Sequence, residues 1–194
     1  MVKTACLLFS AFLISSSASA EPFHHPFGEW REYNRDWLAA CPDRIIEGSG
    51  SYYGHSCFAS AGSAELNSAG QPAYKLTLVL NRLTGRLDLA LAVQTDGAEV
   101  DTGRPLYVRF AGEAEEGYAF GTDLQARYDT ANQFFFADPA ASDALIEKMK
   151  ERSSVTLRVP LKGRPAFREV TLSLQGVIAS IDFMNAYSRR VSQY

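Results

Sequence analysis

From Lys75 onward, side chains of alternating character recur with a period of two. Leu76, Leu78 and Leu80 interleave with Lys75, Thr77 and Val79, and Leu87, Leu89, Leu91 and Val93 with Arg86, Asp88, Ala90 and Ala92. Leu106, Val108 and Phe110 alternate with Pro105, Tyr107 and Arg109, and Leu124, Ala126 and Tyr128 with Asp123, Gln125 and Arg127. After a turn from Asp129 to Asn132 comes the run Phe134-Phe135-Phe136. Val155, Leu157, Val159 and Leu161 then alternate with Ser154, Thr156 and Arg158, and Val170, Leu172 and Leu174 with Glu169, Thr171 and Ser173. Alternation of this kind marks strands with one buried and one wet face, the habit of antiparallel sheets. Gly-containing turns at 81–85, 95–97 and 163–165 separate the runs at hairpin distances. The expected fold is mainly β: an antiparallel β-sandwich or open barrel of about seven strands, with one or two short helices.

Helical signals are confined to two places. Asp138-Pro139 reads as an N-cap followed by Pro at the first helical position. Leu145, Ile146 and Met149 then share a face, and Lys148, Lys150 and Arg152 fall late, where the helix dipole favours cations. Ser180 is expected to cap a second short helix that packs through Ile181, Phe183, Met184 and Tyr187. Three stretches lack periodicity: an irregular N-terminal arm over 21–35 pinned by Trp30, a Gly/Ser-rich loop over 42–56, and a small-residue linker over 60–73. Residues 36–194 read as a single β-rich domain, with no internal repeat.

The first twenty residues stand apart. Lys3, the apolar run Ala5–Ile14 and the small residues ending in Ala18-Ser19-Ala20 form a secretory signal peptide, too short for a membrane span. Cleavage after Ala20 removes Cys6 and leaves Cys41 and Cys57, sixteen positions apart. An even pair in an exported chain favours a disulfide, worth about 3 kcal/mol through the unfolded chain. A metal pair would need two further ligands, with only His55 nearby, and a reactive thiol is the other alternative. With no cysteine left over, covalent dimerisation is not expected. A formal net charge of −3 over 194 residues argues against nucleic acid as a partner. No segment of the mature chain reaches the about 18 apolar residues of a membrane span. The expected location is exported: periplasmic, outer-membrane-associated or secreted.

Asp36-Trp37 followed by Cys41, and then Cys57-Phe58-Ala59, resemble the opening of the invasion-associated locus B family of small exported bacterial proteins. In that family a D-W-x-x-x-C start precedes a second cysteine that opens a strand. Leu87–Pro105 resembles the family's apolar strand and following Gly-containing turn. Leu145–Gly176 resembles its closing pattern, ending S-L-x-G at Ser173-Leu174-Gln175-Gly176. Two places depart from the usual pattern. Arg35 stands where Gly precedes Asp-Trp, and Tyr128–Asp138, where many members carry a second cysteine pair, has none. The resemblance implies a non-enzymatic all-β protein of the periplasm or cell surface, linked to envelope biology and host-cell invasion, whose partner is an envelope or host-cell component. The alternative is a periplasmic ligand carrier or chaperone-like module holding an apolar or anionic ligand. A third possibility is a hydrolase.

Candidate chemistry is sparse. No P-loop, dinucleotide fingerprint, H-E-x-x-H or G-x-S-x-G motif occurs, and no cofactor or metal is expected. His24-His25 reads as a solvated terminus, since adjacent imidazoles chelate poorly without further ligands. His55-Ser56-Cys57 could suggest nucleophilic chemistry, but a bridged Cys57 cannot attack. Glu113, Glu115 and Glu116 read as a solvated turn rather than the opposed carboxylates of glycoside hydrolysis. Tyr52-Tyr53 and Phe134–Phe136 are possible contact surfaces; Phe135 must face away from its two neighbours, and core packing is the expected account of the run. The wet strand faces carry Arg86, Arg109, Arg127, Arg158 and also Arg168. Gathered on one sheet, the first four would form an anion-binding face.

The export reading predicts that mass spectrometry of the exported protein finds a chain beginning at Glu21. An intact Met1 species confined to the cytoplasm would contradict it.

Overall fold

The computed structural model describes residues 21–46, 54–127 and 132–189. Residues 1–20, Tyr52-Tyr53, Tyr128 and the start of the following turn lie outside the described residues. Twelve strands and two helices are described: β1 (Phe23–His25), β2 (Glu29–Asn34), β3 (Trp37–Pro42), β4 (Ser56–Gly62), β5 (Tyr74–Asn81), β6 (Leu87–Val93), β7 (Leu106–Phe110), β8 (Glu116–Tyr118), β9 (Leu124–Ala126), β10 (Gln133–Phe136), α1 (Pro139–Glu151), β11 (Ser154–Val159), β12 (Arg168–Ser173) and α2 (Val177–Ser188). They form an eight-stranded sheet, ordered β1-β2-β3-β4-β5-β6-β10-β9, and a four-stranded sheet, ordered β12-β11-β7-β8. All the strand pairings are antiparallel. The result is a β-sandwich with short helices, not a closed barrel.

The alternating leucines do what their period requires. Leu76, Leu78, Leu89 and Leu91 from the large sheet meet Leu106, Val108, Val155, Leu157 and Leu172 from the small one in a single buried cluster. Burying each such side chain contributes about 1.5–3 kcal/mol. Leu145, Ile146 and Met149 of α1 join this cluster, as do Ile181, Phe183, Met184 and Tyr187 of α2. Helix α1 starts as expected, with Asp138 Oδ1 accepting from the Ala140 N–H at 3.0 Å. The Phe run splits as its period demands: Phe134 and Phe136 join the main core, while Phe135 packs with Val79, Ala90 and Phe58 on the opposite face.

Three expectations change. The segment 21–35 is not irregular: β1 and β2 form a hairpin that extends the large sheet. Its strands carry few apolar residues because apart from Asn34 their side chains are at most partly buried, with Trp30 reaching inward to within 5.5 Å of Tyr187 on α2. Residues 60–62 belong to β4 rather than to a linker. Ala59 and Ala61 face the core where close packing leaves room only for small side chains, so hydrophobic contrast along the strand is weak. Ser180 does not cap α2. The helix begins three residues earlier, behind Gly176, and the buried Ser180 hydroxyl accepts from Asn34 Nδ2 at 3.3 Å.

At the α2 entry two distant stretches of chain pass very close together. The β2–β3 hairpin turns through Arg35-Asp36, with Arg35 in the left-handed region at φ 56°. This turn seats against the β12–α2 connection. Trp37 Nε1 donates to Ser173 O at 3.1 Å, the Ser173 hydroxyl donates to Asp36 Oδ2 at 2.5 Å, and Asp36 N donates to Gln175 O at 3.3 Å. Gly176 sits at φ 102°, and a Cβ there would lie 1.8 Å from the Asn34 carbonyl oxygen. Nearby, Cys41 and Cys57 form the expected disulfide, joining β3 to β4.

Gly176→Ala is expected to cost more than about 4 kcal/mol in urea unfolding, because backbone conformation and steric overlap both oppose it. Gly163, at φ 70° with open space around it, should cost only about 1–2 kcal/mol when changed to Ala. Equal losses would contradict the close approach.

Candidate functional site

The expected basic face separates into two halves. Arg86 and Arg127 lie beside β6 and β9 of the large sheet, whereas Arg109 and Arg158 lie on β7 and β11 of the small one. Each meets acid. Arg86 Nε donates to Asp88 Oδ1 at 2.9 Å and Arg86 Nη2 to the Pro139 carbonyl at 3.2 Å, tying α1 to β6. Arg127 lies 3.6 Å from Asp88 and stacks over Phe135. Arg109 lies 3.7 Å from Glu169, and Arg158 donates to Glu115 at 2.8 Å. Arg168, on β12, grips Glu65. Period-two alternation places a residue on a wet face but carries no information about which sheet owns that face.

The glutamate-rich turn is a clamp. Glu113 accepts from Arg152 Nη2 at 2.8 Å and lies 3.2 Å from Lys148, and Glu116 accepts from Lys148 Nζ at 2.6 Å. The turn between β7 and β8 is thereby fastened to the C-terminal end of α1. Hydrogen bonds from Arg152 and Lys148 hold the Glu113 carboxyl below its ordinary range, and those from Lys148 and Tyr118 do the same for Glu116. Burial, followed by the hydrogen bond to Glu116, pushes the Tyr118 phenol upward. These carboxylates hold cations of their own chain and do not face one another across a cleft.

Cys57 is bridged to Cys41, so it cannot serve as a nucleophile. Ser56 is fully buried, and its hydroxyl makes no hydrogen bond with a described residue. His24 is bonded through Nε2 to Asp43 Oδ2 at 2.6 Å and packs edge-on to Trp30. Among the described residues no cluster of three or more His, Cys, Asp or Glu side chains could hold a metal ion. No described helix is long and apolar enough to cross a membrane.

Two features escape the sequence patterns. The first is the free face of the β1–β2 hairpin. Register places Phe23 opposite Arg31 and His25 opposite Glu29, on the face away from Trp30. Phe23 stacks on Tyr33 at 6.0 Å, His25 meets Phe27 edge-on at 4.5 Å, and the Arg31 guanidinium lies 5.7 Å from the Phe27 ring centroid. Phe27 is 81% exposed and Tyr33 51%. The aromatic mixture of EPFHHPFGEW is the signal that could have marked it.

The second feature is a polar cavity of about 150 Å³ among the connecting segments, lined by Glu65, Tyr74, Asp96, Arg164 and Arg168 among others. The apolar interior is different. The gap bounded by Leu76, Leu91, Val108, Phe136 and Met149 measures about 10 Å³. That is too small for an apolar ligand, since one water already needs about 10–15 Å³.

No protein-family model matches the chain, and no curated protein or solved structure matches it either.

The clamp predicts an acid-sensitive anchorage of α1. A carboxyl whose folded-state affinity for protons is lowered contributes stability above the unfolded value of about 4.3 and loses it as pH falls. The melting temperature should therefore drop between about pH 5 and pH 3. The Glu113→Gln/Glu116→Gln variant should start lower at neutral pH and lose less across that window. Parallel pH profiles would refute the clamp.

Proposed function

We propose that this chain is an exported, non-enzymatic binding domain of the invasion-associated locus B kind, and that it engages a protein of the bacterial envelope or host surface through its N-terminal hairpin. The observation that carries this reading is the aromatic ledge of Phe23, Phe27 and Tyr33 with Arg31 on the outermost strands of the large sheet. Aromatic and arginine side chains dominate protein-binding hot spots, because they bury much area at low conformational cost. Among the described residues β1 is the edge strand, whose outer backbone groups a partner strand can use.

The residues behind the family resemblance support the same reading. Asp36-Trp37 and Ser173-Leu174-Gln175-Gly176, far apart in sequence, touch through three hydrogen bonds and the Gly176–Asn34 contact. Arg35, which replaces the family's usual Gly, occupies a left-handed conformation that Gly adopts without penalty. The disulfide accords with an oxidising compartment. The chemistry-bearing side chains are engaged structurally: Cys57 in the bridge, Glu113 and Glu116 in the α1 clamp, and His24 on Asp43. The carrier alternative draws support from the polar cavity alone.

A photo-crosslinking amino acid placed at Phe27 should give a discrete adduct with one envelope or host-surface protein. The same probe at Thr171, exposed on the small sheet, should not. Phe23→Ser/Tyr33→Ser should abolish the adduct while leaving the urea midpoint nearly unchanged, as exposed positions allow. No adduct from position 27 in either setting, or equal adducts from both positions, would overturn the reading.

A further inference from the structure

The polar cavity lies where the β4–β5, β6–β7 and β11–β12 connections converge. Its walls are held from outside. Arg104 donates to Asp101, to the Pro165 and Leu161 carbonyls and, at 2.8 Å, to the Arg164 carbonyl, so one guanidinium fastens the whole β11–β12 turn. Asp96 accepts from the Ser68 N–H and hydroxyl, at 2.6 and 2.8 Å, pinning the facing loop. Asn67 accepts from Ala69 N and Gln71 N through Oδ1 and donates to Gln94 O through Nδ2. The space is therefore a preformed recess.

Its polar groups are of both signs. Tyr74 forms a wall at 1% exposure and lines the recess beside Arg168. Arg168 in turn places Nε and Nη2 on Glu65 Oε2, at 3.1 and 2.5 Å. Two groups remain unengaged among the described residues: the Arg164 guanidinium and Glu65 Oε1. A simple anion would gain Arg164 but face Glu65 and Asp96; a simple cation would gain Glu65 but face Arg164 and Arg168. A ligand carrying both charges a few ångströms apart avoids both penalties. The volume of about 150 Å³ is some ten times the about 10–15 Å³ that one water needs, enough for a compact molecule of few heavy atoms. We propose that this cavity binds a small free α-amino acid, its carboxylate on the Arg164 guanidinium and its ammonium on Glu65.

This site is separate from the hairpin, and its test is independent of the crosslinking result. Isotope-labelled mature protein is titrated with glycine and with L-alanine, following amide shifts by NMR. Acetate, methylammonium and inorganic phosphate are titrated separately. Either amino acid should give saturable shifts at Ala73, Tyr74 and Thr95 in the millimolar range. The single-charge probes should bind at least about tenfold more weakly, the loss of one charge-assisted hydrogen-bonded contact. Arg164→Ser should weaken amino-acid binding by at least about tenfold without moving the urea midpoint, because this exposed side chain supports nothing else. Absence of saturable shifts with both amino acids would overturn the proposal. So would acetate or phosphate binding as tightly as alanine, or unchanged binding in Arg164→Ser.

Discussion

Four strands cannot cover eight, and most of this architecture follows from that mismatch. With strands about 4.8 Å apart, the large sheet is about 34 Å across and the small one about 14 Å. The uncovered apolar face has to be closed by other elements. Helix α2 lies against β2 to β5, and α1 lies against β6 and β10 and touches α2. The two helices thus complete the second layer, which explains why Leu145, Ile146, Met149, Ile181 and Met184 share one core with the strand leucines. It also explains why the interior is full while the unoccupied space is polar and sits among connecting segments.

Helix α2 can reach its position only because the chain permits an unusually close passage. Gly176 lets the β12–α2 connection lie directly on the β2–β3 turn, and Trp37, Asp36 and Ser173 fasten the contact. The first long hairpin and the last helix are thereby joined through residues more than a hundred positions apart. The disulfide adds a covalent tie between β3 and β4 beneath the same helix, where Cys41 Sγ lies 4.0 Å from the Met184 carbonyl. The two distinctive sequence signatures, D-W and S-L-x-G, are the two sides of this one junction. Their residues serve packing, and their spacing reflects a structural meeting rather than shared chemistry.

Charge follows a similar logic. Cations and carboxylates on the wet faces are arranged pairwise: Arg86 with Asp88, Arg158 with Glu115, Lys148 with Glu116, Arg168 with Glu65. Exposed pairs of this kind contribute little stability singly, but they set where α1 and the turns sit. Among the described residues the Arg164 guanidinium is one of the few cations that such a pair does not engage.

The strands β5, β6, β7, β9, β10, β11 and β12, the α1 cap at Asp138, the disulfide and the opposed faces of Phe134 and Phe135 were legible in residue order, whereas the short β8, read as part of a glutamate turn, was not. Each depends on local periodicity, on a cap a few residues long, or on counting the cysteines that follow the N-terminal apolar segment. The N-terminal hairpin was hidden because β1 and β2 are only partly buried on either face and so need little apolar alternation, and β4 because its core positions are alanines. The Ser180 capping position was misplaced because Gly176, chosen for its contact with Asn34, starts the helix earlier. Sheet membership decided the fate of the arginines, and convergence of three distant connections created the polar cavity. Both depend on which strands become neighbours, a long-range outcome of packing that no short window of residues contains.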